Sequence, residues 1–431
     1  MMSNAEYLSR RLVPVALLSL TTGAVWAGDP PNVITARADG ATQATELSLL
    51  PGAPRVYQLP YGTGVTGLSG DGTIAVGDFG RGGPVFRWTA AAGPVSMGVI
   101  STGEISAISR NGRYISSNLL NPRKDLSLGA YRWDATNGWQ RVAPLGHCGT
   151  DTTSNFAVDN NGAVYGVAYR SCSSYHAFRW TPRAGSMPLP APGTKPSGRA
   201  ANTRINQVSG DGMTLVGWQE DPMTGTWLGV VWNSGVPSLV RTPSGDIADE
   251  VTAVSGDGSY IGGALLLGEQ PLGAGYRRAA AGTKMEWVRP LPGDASPASP
   301  NAMSATGDVM AGFSGNAFLS FNPGPFIWTR ELGTANLDDF VRAQGTVVEQ
   351  GFSLWEPTAV SDDGKVIAGW GVGNLGYAGW VLRIDKAFVC HRSRSTAGGT
   401  ETTAAQTLSV EFPGDFDTHL AAGDTAGRCG A

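Results

Sequence analysis

Val251-Thr-Ala-Val-Ser-Gly-Asp-Gly258 and Pro357-Thr-Ala-Val-Ser-Asp-Asp-Gly364 are two versions of a phrase that the chain repeats seven times. The other copies end at Gly72, Gly112, Gly162, Gly212 and Gly307, a spacing of 40 to 57 residues. That period suits one four-stranded propeller blade. In each copy an apolar alternating segment runs into Asp-Gly, Asn-Gly or, once, Thr-Gly, and a second apolar segment follows. Asp-Gly and Asn-Gly favour the positive φ of a tight hairpin, so these are strands one and two. An aromatic third strand comes next: Val85-Phe-Arg-Trp88, Ala130-Tyr-Arg-Trp133, Ala177-Phe-Arg-Trp180, Gly229-Val-Val-Trp232, Pro325-Phe-Ile-Trp328 and Ala378-Gly-Trp380. The fifth copy reads Gly275-Tyr-Arg-Arg278. Pro94-Val-Ser-Met-Gly98 and Glu286-Trp-Val-Arg289 exemplify strand four.

One tryptophan per blade at a fixed place reads as packing between blades rather than a ligand platform. Ser69, Asp71, Ser209, Asp211, Ser255, Asp257, Ser361 and Asp363 resemble calcium ligands or nucleophiles, but turn chemistry accounts for them without a metal. Ring closure is also legible. Arg55-Val-Tyr-Gln-Leu59 is a fourth strand without its first three, and Tyr377-Ala-Gly-Trp-Val-Leu-Arg383 is a third strand without a fourth. Pairing them would close the ring and remove its open edge. The expected fold is therefore all-β: a seven-bladed β-propeller of four-stranded antiparallel blades over 54–385, after a weakly ordered leader over 28–53.

The 431 residues include 61 Gly and 27 Pro with only 15% charged residues, a composition of short strands and turns. Arg10 and Arg11 precede the apolar run Leu12 to Leu20, and Val25 and Ala27 stand at −3 and −1 of a cleavage site. Residues 1–27 therefore read as a secretory signal for the general export route. Its removal moves the net charge from −4 to −5, because Arg10, Arg11 and Glu6 leave. A mildly acidic chain with no basic run argues against nucleic acid. No later segment is long and apolar enough to span a bilayer. The expectation is a monomer in the periplasm, secreted or at the cell surface of a bacterium.

His176-Ala177-Phe178, followed by Arg179-Trp180, resembles the tripeptide that names the HAF repeats of bacterial extracellular proteins. Leu337-Asp-Asp-Phe-Val341, Leu354-Trp355 and Thr358 to Gly364 are similar to that family's C-terminal repeats. The resemblance covers about residues 55–385. It implies an exported, propeller-like fold and brings no enzymatic activity or catalytic residues.

After Asp385 the pattern changes, and 386–431 reads as a separate small module. Cys390-His391, Thr418-His419-Leu-Ala-Ala-Gly423-Asp424 and Gly427-Arg-Cys429 resemble a tail on secreted bacterial proteins, with Ala422 where that tail has a second His. Four cysteines in an exported chain read as disulfides, with three pairings open. Cys148–Cys172 and Cys390–Cys429 are favoured. The first pair would lie at one end of blade three, just before strand one and just after strand two. The second would staple a tail too small to hold itself by burial. The alternative is a zinc site from Cys390, His391, His419 and Cys429, although no metal or cofactor is expected.

For function, the first expectation is a non-catalytic binding or scaffolding propeller that holds a glycan, peptide or protein on the loop face. Three strand-two to strand-three loops are long there: Leu119 to Leu126, Trp218 to Trp227 and Leu265 to Leu272. Trp218 and Trp227, with Glu220 and Asp221, form the most ligand-like cluster. They read first as a covered hydrophobic edge and, if exposed, as a seat for a sugar or peptide. The alternatives are a hydrolase or lyase using the central channel and a structural envelope or matrix component. The chain has no Gly-x-Ser-x-Gly and no His-Glu-x-x-His. Gly371-Val-Gly-Asn-Leu-Gly376 matches a dinucleotide pattern only by letter, since it joins two strands. His147 and His176 flank the proposed first disulfide, and His391 and His419 lie in the tail.

Overall fold

The computed structural model describes residues 45–47 and 52–430, apart from 81, 104, 121–127, 147–152, 172–173, 195–197, 199, 266–274, 294–297, 316–323 and 398–399. The expected signal, most of the leader, Cys148, Cys172 and His147 lie outside the described residues.

Each repeat forms one antiparallel sheet with its strands in chain order. Blade 1 spans 63–100, blade 2 107–141, blade 3 153–188, blade 4 203–239, blade 5 251–288 and blade 6 298–336. Blade 7 takes three strands from Ser353–Val360, Val366–Gly373 and Gly376–Arg383 and its fourth from Arg55–Tyr61. Arg55 faces Arg383, Tyr57 faces Val381 and Gln58 faces Trp380, which closes the ring as the sequence predicts. Thr45–Leu47 adds a fifth strand outside Arg55–Tyr61, so the leader enters the sheet earlier than residue 54. The chain is a seven-bladed β-propeller.

The phrase explains the local geometry, with one refinement. All seven of its glycines sit at φ between 68° and 77°, and the Asp, Asn or Thr before them does not share that region. The turn is therefore a four-residue loop, not a two-residue hairpin of paired positive φ angles. In blade 1 the Ser69 amide donates to Ile74 O at 2.8 Å and the Gly72 amide to Ser69 O at 2.9 Å. The Ser69 hydroxyl donates to Asp71 Oδ1 at 2.6 Å and accepts the Ile74 amide at 3.0 Å, while Asp71 Oδ1 also accepts the Thr73 amide. Ser209 with Asp211, Ser255 with Asp257 and Ser361 with Asp363 repeat this network. Turn bonding occupies these oxygens, as the sequence reading requires.

The tryptophans pack. Trp88, Trp180, Trp232, Trp328 and Trp380 are buried, and Trp133 is half-buried. Arg278, which replaces Trp in blade 5, is also buried and donates to Arg241 O at 3.1 Å. Its neighbour Arg277 lies 3.6 Å over the Tyr260 ring and donates to Gly307 O, in the hairpin of the next blade, at 2.6 Å. Arg132 does the same over Tyr114, 5.0 Å from the ring, and reaches Gly162 O at 3.3 Å. In blades 2 and 5 the Arg before the tryptophan position thus latches one blade to the next.

The seven hairpins converge on the axis and bond to one another. The Gly70 amide donates to Arg110 O, Asn160 to Gly210 O, Gly210 to Gly256 O, Asp257 to Ala305 O, Ala305 to Asp362 O and Asp362 to Gly70 O, at 2.6 to 3.1 Å. At the remaining junction Asn111 pairs with Asn160 through its amide and side chain. The circle is complete. Its middle is filled by Arg110, which crosses from blade 2 to donate to Val360 O at 2.7 Å and Met303 O at 3.1 Å and lies 3.3 Å from Asp362 Oδ1. Glycine is required beside this plug: a Cβ on Gly70 or Gly256 would sit 2.1 and 2.4 Å from the Asp362 carboxylate. Deeper in, Gln207 spans from blade 4 to Asn301 O in blade 6 at 2.6 Å.

The inner strands are bulged at the second residue of the phrase in six blades. A bulge leaves a carbonyl unpaired, and a buried carbonyl needs a donor. The neighbouring blade supplies it: Thr66 to Ser106 O, Asn206 to Val251 O, Asn301 to Pro357 O and Thr358 to Val65 O, at 2.7 to 3.0 Å.

Among the described residues, two short helices depart from the all-strand expectation. Helix α1, Leu337–Ala343, links the outer strand of blade 6 to blade 7 and is capped by Asn336 Oδ1 accepting the Asp339 amide at 3.1 Å. Asp338 turns inward to accept the Leu354 amide. Helix α2, Gly414–Ala421, belongs to the tail. There Lys386–Ala397 and Thr400–Glu411 form a hairpin. Phe412 and Phe416 pack on Phe340 of α1, which seats the tail against the ring. No helix among the described residues is long and apolar enough to cross a membrane.

Candidate functional site

The strand-two to strand-three loop of blade 4 brings Trp218, Glu220, Asp221 and Trp227 together, but not as an exposed pair of indoles. Trp218 points inward from Thr214–Glu220, opposite Arg204 of the inner strand, and is only 3% exposed. Of the two readings, the covered hydrophobic edge describes Trp218. Trp227, opposite Glu220, stacks on Trp218 with centroids 4.8 Å apart and 14° between planes. Trp227 remains half-exposed. Asp221 is spent on its own turn, accepting the Met223 amide at 2.8 Å.

The sequence reading missed the other half of this surface. Tyr175 of blade 3 meets Trp218 edge-on at 6.1 Å, and Tyr169 packs on Tyr175 at 5.6 Å. Tyr169, Tyr175, Trp218 and Trp227 thus form one aromatic row across the loop ends of blades 3 and 4. Asn202 lies beside it and donates to Glu220 at 2.6 Å. Burial, with the Glu220 charge second, pushes the Tyr175 hydroxyl up to about 12, so it stays a neutral donor. The only cue to these residues was their place flanking the strand-two to strand-three turn of the blade before, 50 residues upstream of the tryptophans.

Behind the row is the mouth of the channel. Arg204 lies 4.8 Å over the Phe156 ring and 5.6 Å from Trp218, and its guanidinium is 3.3 Å from Glu250. Glu250 also accepts the Asn206 amide at 2.6 Å. Burial outweighs both partners and raises the Glu250 carboxyl to about 7. Below its ordinary 4.5 this group is protonated folded or unfolded; between 4.5 and about 7 only the unfolded chain releases the proton, so stability falls as pH rises. Glu250→Gln should remove that slope. The stability difference between the variant and wild type should grow by on the order of 3 kcal/mol from pH 4.5 to 7, read by urea unfolding. A constant difference would refute it.

The channel itself is closed at the opposite face by the hairpin circle and Arg110. A second concavity, about 440 Å3, lies between the rims of blades 5 and 6 and is lined by Glu286, Trp287, Arg289, Trp328 and Arg330. Its charges are largely taken: Glu286 binds Arg277 at 2.8 Å and Arg330 at 3.1 Å.

In the tail Cys390 and Cys429 form the expected disulfide. That excludes the four-ligand zinc site, since both sulfurs are spent on each other. The Cys148–Cys172 pairing falls outside the described residues. His176 is buried, with its Nε2 3.0 Å from the Ser174 hydroxyl. Opening the 39-residue separation of Cys390–Cys429 removes about 4 kcal/mol of constraint from the unfolded tail in the chain-entropy model. Cys390→Ser combined with Cys429→Ser should therefore unzip the tail while the ring melts unchanged, visible as proteolysis confined to 386–431; an equal loss in the ring would contradict this.

No protein-family model and no curated protein matches the chain. Among solved structures, it is similar to an oligogalacturonate lyase from Vibrio parahaemolyticus, 11% identical with a TM-score of 0.50, over 80% of this chain and 95% of that one. The likeness is one of fold. The Cps50 (Swd1) β-propeller domain of Myceliophteria thermophila is 13% identical, TM-score 0.44, over 76% and 98%. TolB from Acinetobacter baumannii is 12% identical, TM-score 0.35, and the chain spans about half its length, 50% of this chain and 51% of TolB.

Proposed function

We propose that the protein is an exported binding or scaffolding propeller, of the kind the HAF-like phrase suggests, that takes an extended glycan or a peptide along the loop face of blades 3 and 4. The observation that carries this reading is the continuous aromatic row of Tyr169, Tyr175, Trp218 and Trp227, three of them half-exposed, beside the polar pair Asn202–Glu220. Planar rings over a rigid sheet offer a sugar face or a peptide turn a large contact at little entropic cost. The closed hairpin face favours a surface site over transit through the ring. Export rests on residues 1–27 and on cysteines that pair.

A glycan and peptide array should give a signal that falls about 30-fold or more when Trp227→Ala and Tyr175→Ala are combined, the effect of losing one strong anchor. Trp218→Ala is the poorer probe, because it removes core. Array binding that survives the double variant would defeat the site. The Arg204–Glu250 pair favours one alternative, a lyase or hydrolase at the channel mouth: a carboxyl raised to about 7 suits proton transfer at neutral pH. Turnover of an array ligand that Glu250→Gln abolishes would decide for it. Tight association with cell envelope on fractionation would favour the matrix role instead.

A further inference from the structure

We infer that the tail carries a divalent-metal site formed by His391, His419 and Asp424, with zinc the best fit. Three separate elements deliver the ligands. His391 lies on the strand Lys386–Ala397, His419 in the last turn of α2, and Asp424 in the strap that follows. Asp424 Oδ2 lies 3.0 Å from His391 Nδ1 and 2.7 Å from His419 Nδ1, and one donor atom from each residue falls within 4.8 Å of the others. Two imidazoles and one carboxylate around a common point form a nitrogen and oxygen donor set suited to zinc and its neighbours, not to calcium, which wants oxygens alone.

The arrangement is held from outside. Cys390, next to His391, is bonded to Cys429, and Thr425–Ala426 pairs with Val389 and Cys390, which fixes Asp424 beside the strand. Phe412 and Phe416 anchor the helix that bears His419. The carboxylate is covered, 6% exposed, while His391 and His419 are 41% and 30% exposed. The ligand cluster therefore opens to solvent on the imidazole side. Three protein ligands and an open fourth position describe an exchangeable zinc site rather than a sealed one. Without metal, both imidazoles lean on one carboxylate. Metal would replace the two N–H contacts with lone pairs, so binding competes with protons and weakens as pH falls.

The test is titration of the metal-stripped, disulfide-intact full chain with Co2+, followed by visible absorption. One equivalent should give the band of low-coordinate cobalt, and Zn2+ should abolish it. His391→Gln and His419→Gln keep an amide donor for Asp424 but offer no imidazole, so each should weaken uptake about 100-fold or more, at least the loss seen for outer-shell partners. A thiol count no higher than that of the wild-type chain in both variants confirms a closed tail. If a variant opens the tail, histidine ring NMR on the wild-type chain reads the site directly: Zn2+ should shift the two tail imidazoles and leave His176 unmoved. No stoichiometric cobalt band, a band indifferent to both substitutions, or zinc shifts outside the tail would overturn the assignment.

Discussion

A chain lacking residues 1–61 is expected to lose its cooperative unfolding transition. Arg55–Tyr61 is the fourth strand of blade 7, and among the described residues no other strand pairs with that edge of Gly376–Arg383. Removing it deletes Val56 and Leu59, both buried, and each contributes about 1.5–3 kcal/mol. It also strips Glu349 of Gln58 and Tyr61, which donate to it at 2.8 and 2.9 Å, and leaves a row of backbone groups open to other chains. Against a total stability of about 5–15 kcal/mol, these losses are decisive. Circular dichroism during urea unfolding should show a broad, shallow change, and light scattering should rise. A synthetic peptide covering 52–61, added in trans, should restore the sharp transition. An unaltered midpoint in the truncated chain would mean that the ring does not depend on this strand.

Arg110→Ala should be the most damaging single substitution on the axis. The side chain makes two charged hydrogen bonds to carbonyls of blades 6 and 7 and faces Asp362, and Gly70 and Gly256 leave the room that this carboxylate takes. Charged hydrogen bonds are worth about 1.5–3 kcal/mol each, so the loss should reach about 3 kcal/mol or more. Arg110→Lys should recover only part, because an ammonium cannot fork to both carbonyls. Urea midpoints at constant slope measure this. A cost below about 1 kcal/mol would show that the hairpin circle holds without its plug.

The ring was readable because its repeat carries what the geometry needs: a left-handed glycine in all seven copies, in most of them a serine and an acid that bond the loop, and a third-strand tryptophan in six of the seven blades. The plug was readable in principle. Where most copies have Gly, Ala or Asn before the turn acid, blade 2 has Arg110 and blade 7 has Asp362; where most have Ala, blade 4 has Gln207. Those exceptions cross the axis. What escaped the sequence was partnership across distance. The covered edge was legible at Trp218, opposite Arg204, but its neighbours were not: Tyr169 and Tyr175 join it only once blade 3 lies alongside. Helix α1 announced itself through Asn336 followed by Leu-Asp-Asp, a capping pattern hidden among strand-like copies. The tail hairpin over 386–411 was obscured by its Ser, Thr and Gly content, which resembles a linker until the two halves are set in register.

Closure by a strand from the other end of the chain also settles where the molecule can be held. Both Arg55–Tyr61 and the tail after Arg383 leave from blade 7, and a Cβ placed on Gly52 would sit 3.1 Å from Ser409 Oγ. In a circle of seven, the point farthest from blade 7 is the seam between blades 3 and 4, where the aromatic row lies. An anchor attached at either end would leave that seam unobstructed and aimed away from the attachment. The ring would then act as a spacer one full diameter long between tether and cargo.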